Sequence, residues 1–167
     1  MDKTHLDELV EYPAKVIQLL GASKKCMSLI SGKPENEIDE QAIDDIIENN
    51  IFDYSYIDDT VTKSGAFVWI ETEVPYVDNK QIKNMRIYVI IACHKNYMNI
   101  DPSINAGMMG NRRDNLARYI DCLLNNNDVF GIGCLKLKSA TIKSSSNQDF
   151  TLRELCYSIP DFNIKDI

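Results

Sequence analysis

The stretch Met85-Arg86-Ile87-Tyr88-Val89-Ile90-Ile91-Ala92-Cys93 decides the fold. It is rich in β-branched and aromatic residues, apolar on both of its alternating faces, and far too short to span a bilayer. A strand of that kind belongs at the centre of a sheet, covered on each side by helices or by a neighbouring subunit.

Working upstream, Phe67–Val74 alternates, with Val68, Ile70 and Val74 on one face and Trp69, Glu71 and Glu73 on the other. Pro75 ends that strand or marks an edge. The polar stretch Pro75–Asn84, with Asp78-Asn79, predicts the loop of a long hairpin. Before it, Phe52-Asp53-Tyr54-Ser55-Tyr56-Ile57 alternates as a strand would and stops at the turn signal Asp58-Asp59. Downstream, residues 95–110 predict an irregular loop containing Pro102, Gly107 and Gly110. Asn111–Asn125 is the clearest helix, carrying Leu116, Ile120, Leu123 and Leu124 on one face and Asp114 four residues before Arg118. Phe130–Ser139, opened by Gly131 and Gly133, and Thr151–Ile159 predict further strands.

The first fifty residues have helical periodicity. Residues 4–31 predict two or three short helices interrupted at Pro13 and Gly21, with Ser23 capping the last. Ile38, Ala42, Ile43, Ile46 and Ile47 place an amphipathic helix over 39–48, whose acidic face is either simply solvated, the commoner case, or a docking surface for a basic partner. The expected fold class is α+β: a mostly antiparallel sheet with one helix packed on it and an N-terminal helical extension. The expected division is a helical segment over 1–50 and an α+β core over 51–167.

Composition bounds what such a chain does. Its 167 residues are 44% apolar and 26% charged, ordinary for one globular domain with a real core. Eighteen Lys and Arg against 25 Asp and Glu leave −7, which disfavours gripping a nucleic-acid backbone or docking on anionic lipid. A repulsive surface still lets nucleic acid slide past. The start of the chain has no apolar run behind basic residues and so does not read as a signal peptide. Five scattered cysteines form no CxxC pair, so buried thiols in a reducing compartment are expected, without a zinc site or a disulfide framework.

Little catalytic chemistry is legible. His5 and His94 are far apart in sequence, and Cys93 beside His94 points to the opposite face of a strand. Gly131-Ile132-Gly133 lacks the third glycine of a phosphate loop and precedes its strand, so a strand entrance explains it better. Glu71 and Glu73 share a strand face near Asp58 and Asp59, the pattern of a Mg²⁺ nuclease, yet the lysine such sites add is missing and Val74-Pro75 follow. Exposed acids on the wet face of a strand are the commoner explanation. Arg112 and Arg113 oppose the dipole at a helix N-terminus. Two explanations stand: solvated arginines compensated by Asp114, or a bidentate contact with a partner's carboxylates, the partner being a second copy.

The order Phe52–Ile57, Phe67-Val68-Trp69-Ile70-Glu71, Ile87–Lys95, Gly110–Asn125 and Phe130–Leu137 resembles the small neck proteins of long-tailed bacteriophages and prophages of low-GC Gram-positive bacteria. Tail terminators and head–tail joining proteins are the nearest group. The likeness covers roughly residues 50–160. It implies a non-enzymatic virion protein without cofactor or metal, made in the host cytoplasm, that forms a ring, typically of about six copies, on the tail tube or connector. It implies that DNA passes the lumen without specific binding and that no membrane is involved. It also implies a subunit contact at Arg112, Arg113, Asp114 and Arg118, and a docking arm at Tyr76, Asp78, Asn79 and Lys80. A phage-encoded metal-dependent nuclease and a soluble adaptor domain outside any virus are the competing expectations.

Overall fold

Three helices, α1 (Glu8–Gly21), α2 (Lys24–Ser31) and α3 (Glu40–Asn50), precede the first strand in the computed structural model, which describes residues 6–57, 62–77, 81–104 and 107–163. Ser23 and Asp39 cap α2 and α3 by accepting from the backbone N–H of Cys26 and Ala42. There follow β1 (Ile51–Phe52), β2 (Ala66–Val77), β3 (Ile82–His94), α4 (Arg112–Leu124), β4 (Lys136–Lys143) and β5 (Phe150–Phe162). The strands form one sheet in the order β1-β2-β3-β5-β4, antiparallel throughout except for the short parallel β1–β2 pair. The fold is α+β, and β3 lies at the centre of the sheet. No helix among the described residues is long and apolar enough to cross a membrane.

One face of the sheet is covered by helices. Val68, Ile70, Met85, Ile87, Val89, Ile91, Leu155 and Tyr157 pack there with Tyr12, Val16 and Leu20 of α1, Met27 and Leu29 of α2, and Leu116, Ile120 and Leu124 of α4. The expected division near residue 50 is therefore a change of secondary structure within one core: the N-terminal helical region closes the core of the strands that follow. On the other face, Phe67, Trp69, Ile90, Ala92, Phe150 and Leu152 form a smaller cluster. Its cover is Phe52 and Tyr56, whose rings stack 4.2 Å apart. The alternation over 52–57 predicted a strand, but only Ile51–Phe52 pairs with β2; the aromatics are needed over the open face.

Pro13 behaves differently from expectation, and Pro75 takes the second of its two expected roles, a place where the strand is an edge. Helix α1 runs unbroken through Pro13. Proline removes the N–H that would bond the Leu9 carbonyl, and the Thr72 hydroxyl of β2 donates to that carbonyl at 3.0 Å instead. Strand β2 likewise continues past Pro75, with its register against β3 shifting between Glu73 and Tyr76. β1 pairs β2 only at Val68 and Trp69, so at Pro75 the absent N–H costs no ladder bond among the described residues. The hairpin loop is thus shorter than 75–84, and Tyr76 and Val77 belong to β2.

The segment Phe130–Leu135 is irregular, and its strand begins only at Lys136. Gly131 passes so close to β5 that a side chain there would collide with the Pro160 carbonyl, which accepts from Ile132 N–H at 2.6 Å. A packing constraint accounts for that glycine without any phosphate. Cys26, Cys93 and Cys156 are buried as expected; Cys122, on the wet side of α4, and Cys134, ahead of β4, are exposed.

Candidate functional site

Asn111 caps α4 by accepting from Asp114 N–H at 2.9 Å, and its side-chain amide donates back to the Asp114 carboxylate. This places Arg112 and Arg113 in the first turn, where they meet acceptors of the same chain. Arg112 is 3% exposed. It donates to the carbonyls of Leu29 at 2.7 Å, Tyr97 at 2.8 Å and Asn99 at 3.1 Å, and lies 4.1 Å from the Tyr97 ring centroid. Leu29 belongs to the last turn of α2, whose carbonyls lack helical partners and favour a cation. The expected subunit contact at Arg112 is therefore corrected. The side chain turns inward, because α2's orphaned carbonyls outweigh the unfavourable dipole of its own helix, and it has no donor face for a neighbour.

Arg113 is also buried. Its Nε donates to Asp114 at 3.0 Å, and Arg153 of β5 donates to the same carboxylate oxygen at 2.9 Å. Burial opposes the charge on Asp114, but Arg113, Asn111 and Arg153 outweigh it and hold the carboxyl down at about 2. Asp114 thus compensates Arg113, but neither arginine is solvated as that explanation required and Arg112 is neutralised by carbonyls instead; through Arg153 the same carboxylate ties α4 to the sheet. Of the expected contact set only Arg118 lies on the wet side of the helix, its guanidinium 5.0 Å from the Tyr119 ring centroid.

A second surface lies where β2, β3 and β5 outrun the core. Tyr76 pairs with Asn84, and Ile82 with Phe162, so Tyr76 and Phe162 project from the same sheet face. Tyr76, Val77 and Phe162 are each at least half exposed. Beneath them the end is anchored, by Lys83 donating to Glu8 and by Tyr12 donating to Asp161. Of the expected docking arm, Tyr76 is on this surface, whereas Asp78, Asn79 and Lys80 lie outside the described residues.

The open sheet face continues from there as a polar hollow of about 600 Å³ lined by Tyr76, Arg86, Tyr88, Lys138, Lys143 and Glu154 among others. Glu73 holds two of its lining residues: one carboxylate oxygen accepts from the Tyr88 hydroxyl at 2.6 Å and from Arg86 at 3.3 Å. Burial, then the bond to Glu73, pushes the Tyr88 phenol up to about 12. Glu71 lies opposite Tyr88 in the ladder and is exposed, while Asp58 and Asp59 lie outside the described residues, as does His5. Among the described residues no three His, Cys, Asp or Glu side chains stand together as metal ligands. His94 serves the fold: its Nδ1 accepts from Asn96 N–H at 3.1 Å and its ring meets Phe150 edge-on. Cys93 faces the helices, and burial pushes its thiol up to about 11.

Tyr97, Arg153 and Phe162 escaped sequence reasoning. Nothing in local pattern marks Tyr97 or Arg153, whose partners are distant in the chain. Phe162 was within reach, since it extends the alternation of the last strand.

These features define a class: an α+β protein with a helix-covered sheet whose open face, edges and hairpin end are its accessible surfaces. A model of the YomW family matches residues 16–159, and the chain belongs to that family. The family name is of the phage or prophage type from Bacillus-like genomes, consistent with a phage-associated protein. No curated protein matches the chain.

Proposed function

We propose that the chain is a non-catalytic structural component of a tailed-phage particle, assembling as a ring of about six copies at the neck as a tail terminator or head–tail joining protein. The observation that carries this reading is the sheet end at Tyr76, Val77 and Phe162. Apolar side chains held half exposed on strands anchored from beneath make a docking surface for another protein. The partners are further copies of the chain and the tail-tube or connector proteins on either side. A net charge of −7 suits a lumen through which DNA passes without being held. The protein is made in the bacterial cytoplasm and ends in the virion.

The test is immunogold labelling of purified particles from a strain that encodes the chain. Gold at the head–tail junction is expected; particles that carry no label overturn the reading. In the same strain, Tyr76→Asp with Phe162→Asp should strip the label from the particles while the purified variant keeps the wild-type melting temperature.

A further inference from the structure

The two long edges of the subunit carry opposite charge. One edge is β4, which pairs with β5 on one side and with no strand on the other among the described residues. From Val129 to Gln148 the sequence holds Lys136, Lys138 and Lys143 and no Asp or Glu. All three lysines are exposed; Lys136 donates to the Asn126 side chain and Lys143 reaches Glu154 of β5 at 3.1 Å, a pair that keeps about half of the lysine side chain in water. Lys136 and Lys143 pair with Ser158 and Leu152 on the open face, and Lys138 sits at a bulge beside that face. The opposite edge is β1 with α3 leading into it. Between Lys33 and Lys63 the sequence has no Lys or Arg. Glu40, Asp44 and Glu48 recur every four residues down the wet side of α3 and are all exposed. The first-turn position favours Glu40, but like charges at that spacing weaken a helix, so Asp44 and Glu48 gain nothing from α3 itself.

We infer that successive copies join edge to edge, the lysines of β4 in one copy against the Glu40–Asp44–Glu48 stripe of the next. This rests on the ring reading above and names its interface. Charge selects the geometry. Two β4 edges face to face would oppose lysines, and two α3 stripes would oppose carboxylates, so both self-complementary pairings are repelled. Only the head-to-tail pairing is attractive, and it is the kind that closes into rings. Lysines along an open edge also discourage strand-to-strand addition, so the contact is made through side chains. Each edge adds one exposed apolar side chain among its charges, Ile142 on β4 and Tyr54 just after β1.

The experiment uses the full chain in mass photometry at low and high salt, with two charge-swapped variants. One is Lys138→Glu with Lys143→Glu; the other is Asp44→Lys with Glu48→Lys. The wild type should assemble at low salt and lose at least tenfold in association at high salt, where the Debye length shrinks to about 3 Å. Each variant alone should stay monomeric, and an equimolar mixture should recover assemblies, because each variant keeps one edge that fits the other. Matching thermal melts establish that the variants fold; should a swap unfold one, the glutamine versions of the same pairs repeat the loss of assembly. A monomeric wild type at low salt, a variant that assembles unaided, or a mixture that stays monomeric overturns the interface. Complementation without label at the neck would keep this interface and overturn the neck reading. Label at the neck with failed complementation would do the reverse.

Discussion

Arg112, in the helix layer, and Arg86, on the open sheet face, each lie against a tyrosine, yet the fold uses them in opposite ways. Arg112 is sealed in and shared among three backbone carbonyls from α2 and the turn after β3. Arg86 and its partner Glu73 keep over two fifths of their side-chain surface in water. A charge surrounded by fixed acceptors is part of the architecture, whereas a charge in water adds little to stability and is left for recognition. The covered side of the sheet holds the molecule together, and its open face and edges are where another molecule can be met.

Arg112→Ala is expected to destabilise the fold most. Removing the guanidinium leaves the carbonyls of Leu29, Tyr97 and Asn99 without their donor, and the expected loss is roughly 3–5 kcal/mol by urea denaturation. Arg112→Lys should recover only part of it, since an ammonium cannot span three diverging acceptors. Arg118→Ala, further along the same helix, should leave stability within about 0.5 kcal/mol of wild type. Equal losses at 112 and 118 would remove the distinction between a sealed arginine and an accessible one.

Thr72→Val tests the covered side more finely. It strips the donor from the Leu9 carbonyl that Pro13 has orphaned, at an expected cost of about 1–2 kcal/mol. In a Pro13→Ala background the new N–H serves Leu9, so the same substitution should cost less. A double-mutant cycle in which the two changes simply add would show that Thr72 is not the substitute donor.

How much of this was legible depended on whether a residue's partner was near in sequence. The α4 helix and the double-sided β3 strand follow from local periodicity, and so do the Ser23 cap and the start of α3 near residue 39. Pro13 was expected to break a helix because Thr72, which repairs it, lies in a strand more than fifty residues on. Arg112 was open to a subunit contact because nothing near it in sequence announces the carbonyls at Leu29. Tyr54 and Tyr56 alternate as strand residues do, and only the uncovered aromatic patch at Phe67 and Phe150 explains why Tyr56 folds over the sheet instead. The opposite charges of the two edges were present as composition. What the sequence lacked was the strand order that puts β4 and α3 on opposite sides.

Asp114 lies between the two regimes, half accessible yet held by two arginines. Its carboxyl titrates lower in the fold than in the unfolded chain, so its contribution is present above about pH 4 and is lost as pH falls toward about 2. Asp114→Asn should cost about 1 kcal/mol near neutrality, after allowance for solvent screening, and should flatten the acid limb of a stability-versus-pH curve. A variant with an unchanged acid limb would mean that Arg113 and Arg153 do not hold that charge in solution.

The smallest effect belongs to the open face. Glu73→Gln removes a carboxylate that is nearly half exposed, and the melting temperature should stay where it is. The local chemistry should still respond. Burial is the larger reason that the Tyr88 phenol stands near 12 and the bond to Glu73 the next, so in the variant it should titrate lower but remain above its ordinary value of 10.0. NMR of the ring-labelled tyrosine measures this directly. For the wild type the sign follows: the contribution of Tyr88 is whole below about pH 10 and fades as pH rises toward about 12. A phenol that shifts while the melting temperature holds is what a surface built for contact predicts, since its charges interact closely with one another while the fold does not depend on them. If the melting temperature fell with the phenol, the open face would be structural after all, and the contrast with Arg112 would collapse.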